Sequence, residues 1–556
     1  MPRVALKTGA YQARSIIAMA QRCVNLYAEK NPEDAPVPFT YYPTPGLISL
    51  GTPAVAGAGR GLFTASNGNL YSVVGQRVYA VSPTWNHTFL GSLTASATNP
   101  VSFADNSVTG VFVDGSNNGY TIQLATNTWG TISDPAFYGS DRVDYMDTFF
   151  LFNKPASAIF YISNSNSTTF NALNFASKVG ASDLLQVAAV VHREIWLLGG
   201  RQAGTGTSEI WTDAGSAAFP FQILDGAFVQ HGCEARASVA QMGDALFWLS
   251  RDKQGSRVVV KGQGYQAQRI STHAIEVALA TYSTCEDAWG QTYQQEGHQF
   301  YVLHFPTADK CWAFDLTTEQ WHERVSIDAN GVEHRPLYGA IAAAYGTIVA
   351  QDWATGALYQ LDLNTYTDVG APIVRRRGFP HMISDGRRVT YRQFIADVEV
   401  GTDPNTLGRG QNPLGLEPDG VDQWVLNADA TTSNLAPDAT TLGFVPDGYP
   451  NFGSDTVVAA GNTGLSPDPF VPVILALDNG AYVLPAAALC LRYSDTRGAS
   501  WSDPISDDFG YGGDFYKSIQ FQRLGMARDR VFELFWSAPV RTALNGAFIE
   551  AKPSGS

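Results

Sequence analysis

Residues Asp244–Thr272 read DALFWLSRDKQGSRVVVKGQGYQAQRIST, and residues His298–Arg324 read HQFYVLHFPTADKCWAFDLTTEQWHER. The two stretches share one pattern. Each opens on an apolar, aromatic-rich run, with Phe247 and Trp248 in one and Phe300 and Tyr301 in the other. A polar turn follows, then a second apolar run, then a short last strand that ends in a basic residue. Aromatic and β-branched residues suit a pleated, half-buried surface, and Gly and Asp supply the turns. A meander of about four strands that then repeats is the pattern of a propeller blade.

Working outward, the same rhythm continues on both sides. Upstream lie GRGLFTASNGNLYSVVGQRVYAV (Gly59–Val81), NPVSFADNSVTGVFVDGSNNGYTIQLATNTW (Asn99–Trp129), a unit opening DRVDYMDTFFLF at Asp141 and another opening LQVAAVVHREIWLL at Leu185. Asn67-Gly68 is a two-residue hairpin signal. Downstream lies LYGAIAAAYGTIVAQDWATGALYQLDLN (Leu337–Asn364). About seven units result, spaced roughly 40 to 55 residues apart, as four-stranded blades are; six are possible if the first and last share one sheet. Helical readings of the repeats fail, because β-branched and aromatic residues dominate and glycine interrupts them.

The flanks differ. Residues 1–50 carry five prolines between Pro32 and Pro45. Proline fixes φ and removes donors, so this segment is expected to be an extended N-terminal arm, with Tyr41 and Tyr42 in an anchored strand leading into the next domain. The propeller is expected over 51–368. Residues 369–402 and 487–556 form a C-terminal β-sandwich platform, built on a long alternating strand and on RVFELFWS. An inserted β-rich subdomain, poor in Lys and Arg, occupies 403–486. The fold class is therefore all-β: a β-propeller with a C-terminal sandwich.

Composition agrees. The 556 residues are 45% hydrophobic, 12% aromatic and only 16% charged, with 53 Gly and 29 Pro. Such a chain can fill a large core. The formal net charge of −15 disfavours a role in coating DNA, because the surface repels phosphate. It leaves room for a protein past which DNA merely slides. Cys23, Cys233, Cys285, Cys311 and Cys490 are scattered and odd in number, without a C-x-x-C, and read as buried free thiols. The first residues lack an apolar signal core and no apolar run of about 18 residues occurs, so synthesis in the cytosol and no membrane span are expected.

Catalytic chemistry is not legible. The nine histidines form no metal-ligand spacing, and neither a G-x-S-x-G elbow nor a phosphate-binding P-loop occurs. No catalytic residue, metal ligand or cofactor is assigned, and the chain reads as a non-enzyme. SDTRGASW (Ser494–Trp501) resembles the Asp-box turn of sialidases at Ser494, Gly498 and Trp501, but Thr496 stands where the Asp belongs. That turn carries no catalytic group. A carbohydrate-active or host-glycan-binding propeller is the alternative reading. The basic run Arg375, Arg376, Arg377 is a candidate contact for an acidic partner, set against a solvated strand end; with Tyr41 and Tyr42 it completes the interface candidates.

Several stretches together resemble the packaged-DNA-stabilisation proteins of short-tailed phages, the P22-like tail hub or nozzle family. They are GAYQARSIIAMAQRCVNLYAEKNPEDAPVPFTYYPTPGL, FWLSRDKQGSRVVV with GYQAQRISTHAIE, FYVLHFPTADKCWAFD, and RYSDTRGASWS with RLGMARDRVFELFWSAPV. The resemblance covers residues 1 to about 400 and 488 to 552, in the family's order; 403–486 lies outside it. It implies a virion tail protein forming a homohexameric ring beneath the portal and adaptor rings. Such a ring closes the exit channel after packaging, holds a tail needle and fibres or tailspikes, and lets DNA through without specific binding.

Overall fold

The computed structural model describes residues 3–4, 6, 8–14, 19–94, 99–200, 206–216, 219–252, 254–383, 387–400, 488–509 and 518–553, and the backbone of four short strands between 416 and 484. Six four-stranded antiparallel meanders follow one another over 59–92, 102–131, 143–177, 185–229, 240–269 and 289–323. A seventh is made of Tyr338–Ala344, Thr347–Asp352 and Leu358–Asp362, with Gly46–Gly51 as its outer strand. The first strand of each unit faces the axis. Tyr338–Ala344 packs beside Gly59–Thr64, which closes the ring.

The sequence pattern accounts for each blade. Second strands such as Leu70–Val74 and Thr109–Val113 are buried at every position, since blades cover both of their faces. Outer strands such as Phe170–Ser177 are polar or exposed at most positions. Between blades the packing is aromatic. Phe247 stacks on Tyr301 at 5.3 Å, and Trp196 meets Trp248 edge-on at 6.3 Å. A Cβ on Gly262 would lie 2.7 Å from Trp248 and 2.8 Å from Trp196, so only glycine admits both rings. Each fully buried aromatic contributes about 2–3 kcal/mol by leaving water.

One expectation is corrected here, and one element was not anticipated. Residues 46–50, assigned to the arm, form with Gly51 the strand that closes the last blade; the first and last blades do not share a sheet, and the last one borrows its outer strand from before the first. An α-helix, His273–Thr281, sits between the fifth and sixth meanders. The Thr272 side chain caps its N-terminus by accepting from the Ile275 N–H, and no Gly or Pro interrupts HAIEVALAT.

The C-terminal part is a sandwich of two sheets. One continues the sixth blade outward through Cys23–Val24, Arg375–Gly378, Asp529–Trp536 and Ala488–Ser494 to Ile505–Asp508. The other orders Ile519–Gln522, Val389–Val400, Thr542–Pro553, Phe39–Pro43 and Leu26–Lys30. Phe379, Phe394, Tyr391 and Phe532 pack between them, with ring centroids 5.1–5.6 Å apart. The N-terminal segment is thus woven into both sheets and is not a free arm. Its prolines fall around the Leu26–Lys30/Phe39–Pro43 hairpin, where a ladder donor is dispensable. The expected inserted subdomain lies largely outside the described residues. Its described backbone forms two hairpins, Leu416–Pro418 with Trp424–Leu426 and Val473–Leu477 with Gly480–Leu484.

Candidate functional site: the seam between propeller and sandwich

The two halves meet at a two-residue strand. Val24 pairs in parallel with Glu323 at the end of the sixth blade and in antiparallel fashion with Arg376 in the sandwich. One sheet therefore runs from the propeller axis to the far edge of the C-terminal domain. Asn25 locks the junction. Held at φ +52°, its amide donates to the Val325 and Val374 carbonyls at 2.9 and 2.8 Å, and its Oδ1 accepts from the Val325 N–H at 3.0 Å. Asn tolerates this left-handed conformation better than most residues.

Alternating charges run along the same seam. Arg22 forks onto Glu323 at 2.7 and 3.1 Å and reaches Glu333 at 3.0 Å; Arg376 meets Glu333 from the other side at 3.2 Å. Burial alone would raise the Glu333 carboxyl, but Arg22 and Arg376 outweigh it and hold it down at about 2. Arg492 then pairs with Glu533 at 2.6 Å. Glu323 comes from the propeller, Arg22 from the N-terminal segment and Arg376 from the sandwich, so this network ties three distant pieces of chain.

Arg375, Arg376 and Arg377 are buried, at 0, 6 and 0% exposure. This corrects both readings of the run, as a partner contact and as a solvated strand end. Arg375 donates to the carbonyls of Ile373, Tyr366 and Ala538 at 3.2–3.3 Å. Burial pulls it down to about 10 and pushes neighbouring Asp368 up to about 7, each against the other's charge. Arg377 donates to the carbonyls of Thr8, Arg22 and Gly378 and to Gln21, and lies 4.7 Å over the ring of Tyr41. A guanidinium has five donors and no acceptor, which suits it to gather stray carbonyls where sheets join. Tyr41 is fully buried and donates to the Thr8 carbonyl at 2.8 Å, and burial raises its phenol. Tyr42 is half-buried beside Tyr27, 6.1 Å away.

The Asp-box-like turn has a structural use. Ser494 accepts from the Gly498 N–H at 2.7 Å, while Asp495 turns inward to clamp Arg530. Arg530 is sandwiched by Tyr493 at 4.0 Å and Tyr391 at 4.8 Å. Asp495, one place before the position of the motif's Asp, thus has its carboxylate engaged by this arginine. Among the described residues, no group of three or more His, Cys, Asp or Glu is placed to hold a metal ion, and no helix is long and apolar enough to cross a membrane. All five cysteines are buried and free.

Sequence reasoning missed Asn25, Arg22, Glu323 and Glu333. Nothing local marks them, because their partners lie far off in sequence, some 300 residues away for Arg22 and Asn25.

A family model described as "Bacteriophage P22 Gp10, beta-propeller" matches residues 3–366. The chain belongs to this family. It is a phage structural protein of the packaged-DNA-stabilisation family, a component of the virion. The match begins in the N-terminal segment and ends just after the seventh blade, so it takes in the strand that closes the ring. No curated protein matches the chain. Among solved structures it is similar to the N-terminal domain of Nup159 (10% identity, 61% of this chain and 98% of that one, TM-score 0.36). It is also similar to the WD40 β-propeller domain of Doa1 (9%, 56% and 96%, 0.36) and to streptogramin B lyase (7%, 56% and 96%, 0.36).

Proposed function

We propose that this protein is the tail hub, or nozzle, of a short-tailed phage: a ring of copies, six in our reading, docked below the portal and adaptor. There it closes the exit channel after packaging and becomes the conduit during ejection. Family membership over the propeller supports the phage role. The observation that carries the mechanical part is the continuous sheet through Val24. A plug that holds back packaged DNA must pass load between its parts without hinging. A backbone ladder reinforced by buried Arg–carboxylate pairs does this better than a flexible linker, across which domains move independently.

The charge balance supports passage without capture. A chain of net charge −15 repels the phosphate backbone, so DNA slides by and is not retained. The tail needle and the fibres or tailspikes attach to the assembled ring in this reading. No residue is assigned to catalysis.

The test is a phage carrying a stop codon early in this gene. Heads should fill and then lose their DNA before purification, and protein supplied in trans should restore filled particles. Mutant heads that stay full, with normal tails, would sink the proposal.

A further inference from the structure

The facing surfaces of the sixth and seventh blades hold a second cluster that the seam does not use. His304, His322 and Arg324 lie on one face of the sixth blade, with 0, 2 and 2% exposure, against Tyr338 of the seventh. Arg324 donates through Nε to His322 Nε2 at 3.2 Å, which fixes that ring's proton on Nδ1. It donates through Nη1 to the Tyr338 hydroxyl at 3.1 Å, so the hydroxyl hydrogen must point elsewhere. Nη2 makes no close hydrogen bond, although the Tyr293 hydroxyl, also without a close partner, lies near enough to interact with the guanidinium, and neither ring nitrogen of His304 has a partner. The Tyr338 ring, which already meets Arg324, packs edge-on to His304 at 5.7 Å. Phe300 and Tyr293 cover the guanidinium at 5.0 and 5.2 Å.

The donors here outnumber the acceptors, and the buried guanidinium is hydrogen-bonded to no carboxylate. Burial, followed by the charges of Arg335 and Arg324, pulls His304 down to about 3, so it stays neutral and offers one N–H. An unpaired buried cation is costly unless something offsets it. Water would add two more hydrogens to the surplus, whereas a halide only accepts.

We propose that this blade interface binds a small monovalent inorganic anion such as chloride, taken by the free Nη2 hydrogens of Arg324 with Tyr338 O–H and His304 N–H beside it. The site would fasten the sixth blade to the one that closes the ring.

Crystals of the full chain grown in sodium bromide test this directly. An anomalous peak within hydrogen-bond distance of Arg324 Nη2 is expected. In solution the unfolding midpoint should rise by about 1 °C per tenfold increase in chloride above its dissociation constant, relative to gluconate at equal ionic strength. Tyr338→Phe, which removes one donor and keeps the ring, should weaken that response at least threefold. If that variant does not fold, the wild-type bromide map decides. No anomalous peak, with midpoints that coincide in chloride and gluconate, would overturn the site.

Discussion

Asn25 and Val325 stand 300 residues apart and exchange two hydrogen bonds, amide to carbonyl at 2.9 Å and peptide N–H to Oδ1 at 3.0 Å. The side chain imitates a strand neighbour and so extends the ladder where the Cys23–Val24 strand runs out. Its third bond, to Val374, brings in the sandwich. Removing it strands three buried backbone groups. Asn25→Ala should cost about 3–5 kcal/mol, from roughly 1 kcal/mol per lost bond plus the penalty of leaving buried backbone groups unsatisfied. Asn25→Gly keeps the conformation and should cost about 1 kcal/mol less than Ala. Denaturant unfolding of the pair checks both the size and the order.

Acid should loosen the same seam. Glu333 sits near 2 in the fold against an ordinary value of 4.5, because the charges of Arg22 and Arg376 outweigh its burial. A depressed acid stabilises fully above its unfolded value and loses that contribution as pH falls through the folded one. The window is thus pH 4.5 to about 2, and the amount is on the order of 3 kcal/mol. Glu333→Gln should lower stability at pH 7 and flatten the profile across that window, as read by thermal midpoints taken pH by pH.

Closing the ring depends on one glycine. A Cβ at Gly46 would stand 2.3 Å from the Thr365 carbonyl oxygen and 2.6 Å from that of Thr367. Gly46→Ala should therefore push the Gly46–Gly51 strand off the seventh blade. The expected result is early proteolytic cleavage near residue 50 and a loss of at least about 2 kcal/mol, within the range for overpacking a tight site.

How far the sequence was legible follows from the range of the interactions. The blades could be read because each is a local meander whose alternation and turns lie within one stretch of chain, as in Asp244–Thr272. Gly46–Gly51 could not be placed, because its partner Leu358–Asp362 lies some 300 residues downstream and a lone strand carries no address. Three consecutive arginines read as surface because charge usually stays in water. Arg375 and Arg377 stay inside because loose carbonyls at the joint between sheets need donors, and Arg376 because Glu333 faces it there; neither need is visible until the sheets are assembled. The helix His273–Thr281 was hidden by its setting among strands, although Thr272 is an ordinary cap.

Truncation separates the woven N-terminus from a mobile arm. An arm that only docks would leave a folded monomer when residues 1–44 are removed. The observed weave predicts otherwise, since that deletion removes Val24, Asn25 and Tyr41 together. The truncated chain should be insoluble or should unfold in separate steps for propeller and sandwich, as followed by calorimetry.

The central claim is that the propeller and sandwich act as one rigid plug on the DNA exit path, and electron cryomicroscopy of intact virions tests it most directly. The account predicts a ring of propellers at the tail vertex, each joined to its sandwich by unbroken sheet density through Val24, around a channel on the DNA axis. Density for this chain away from that axis, or propellers hinged freely from their sandwiches, would contradict it.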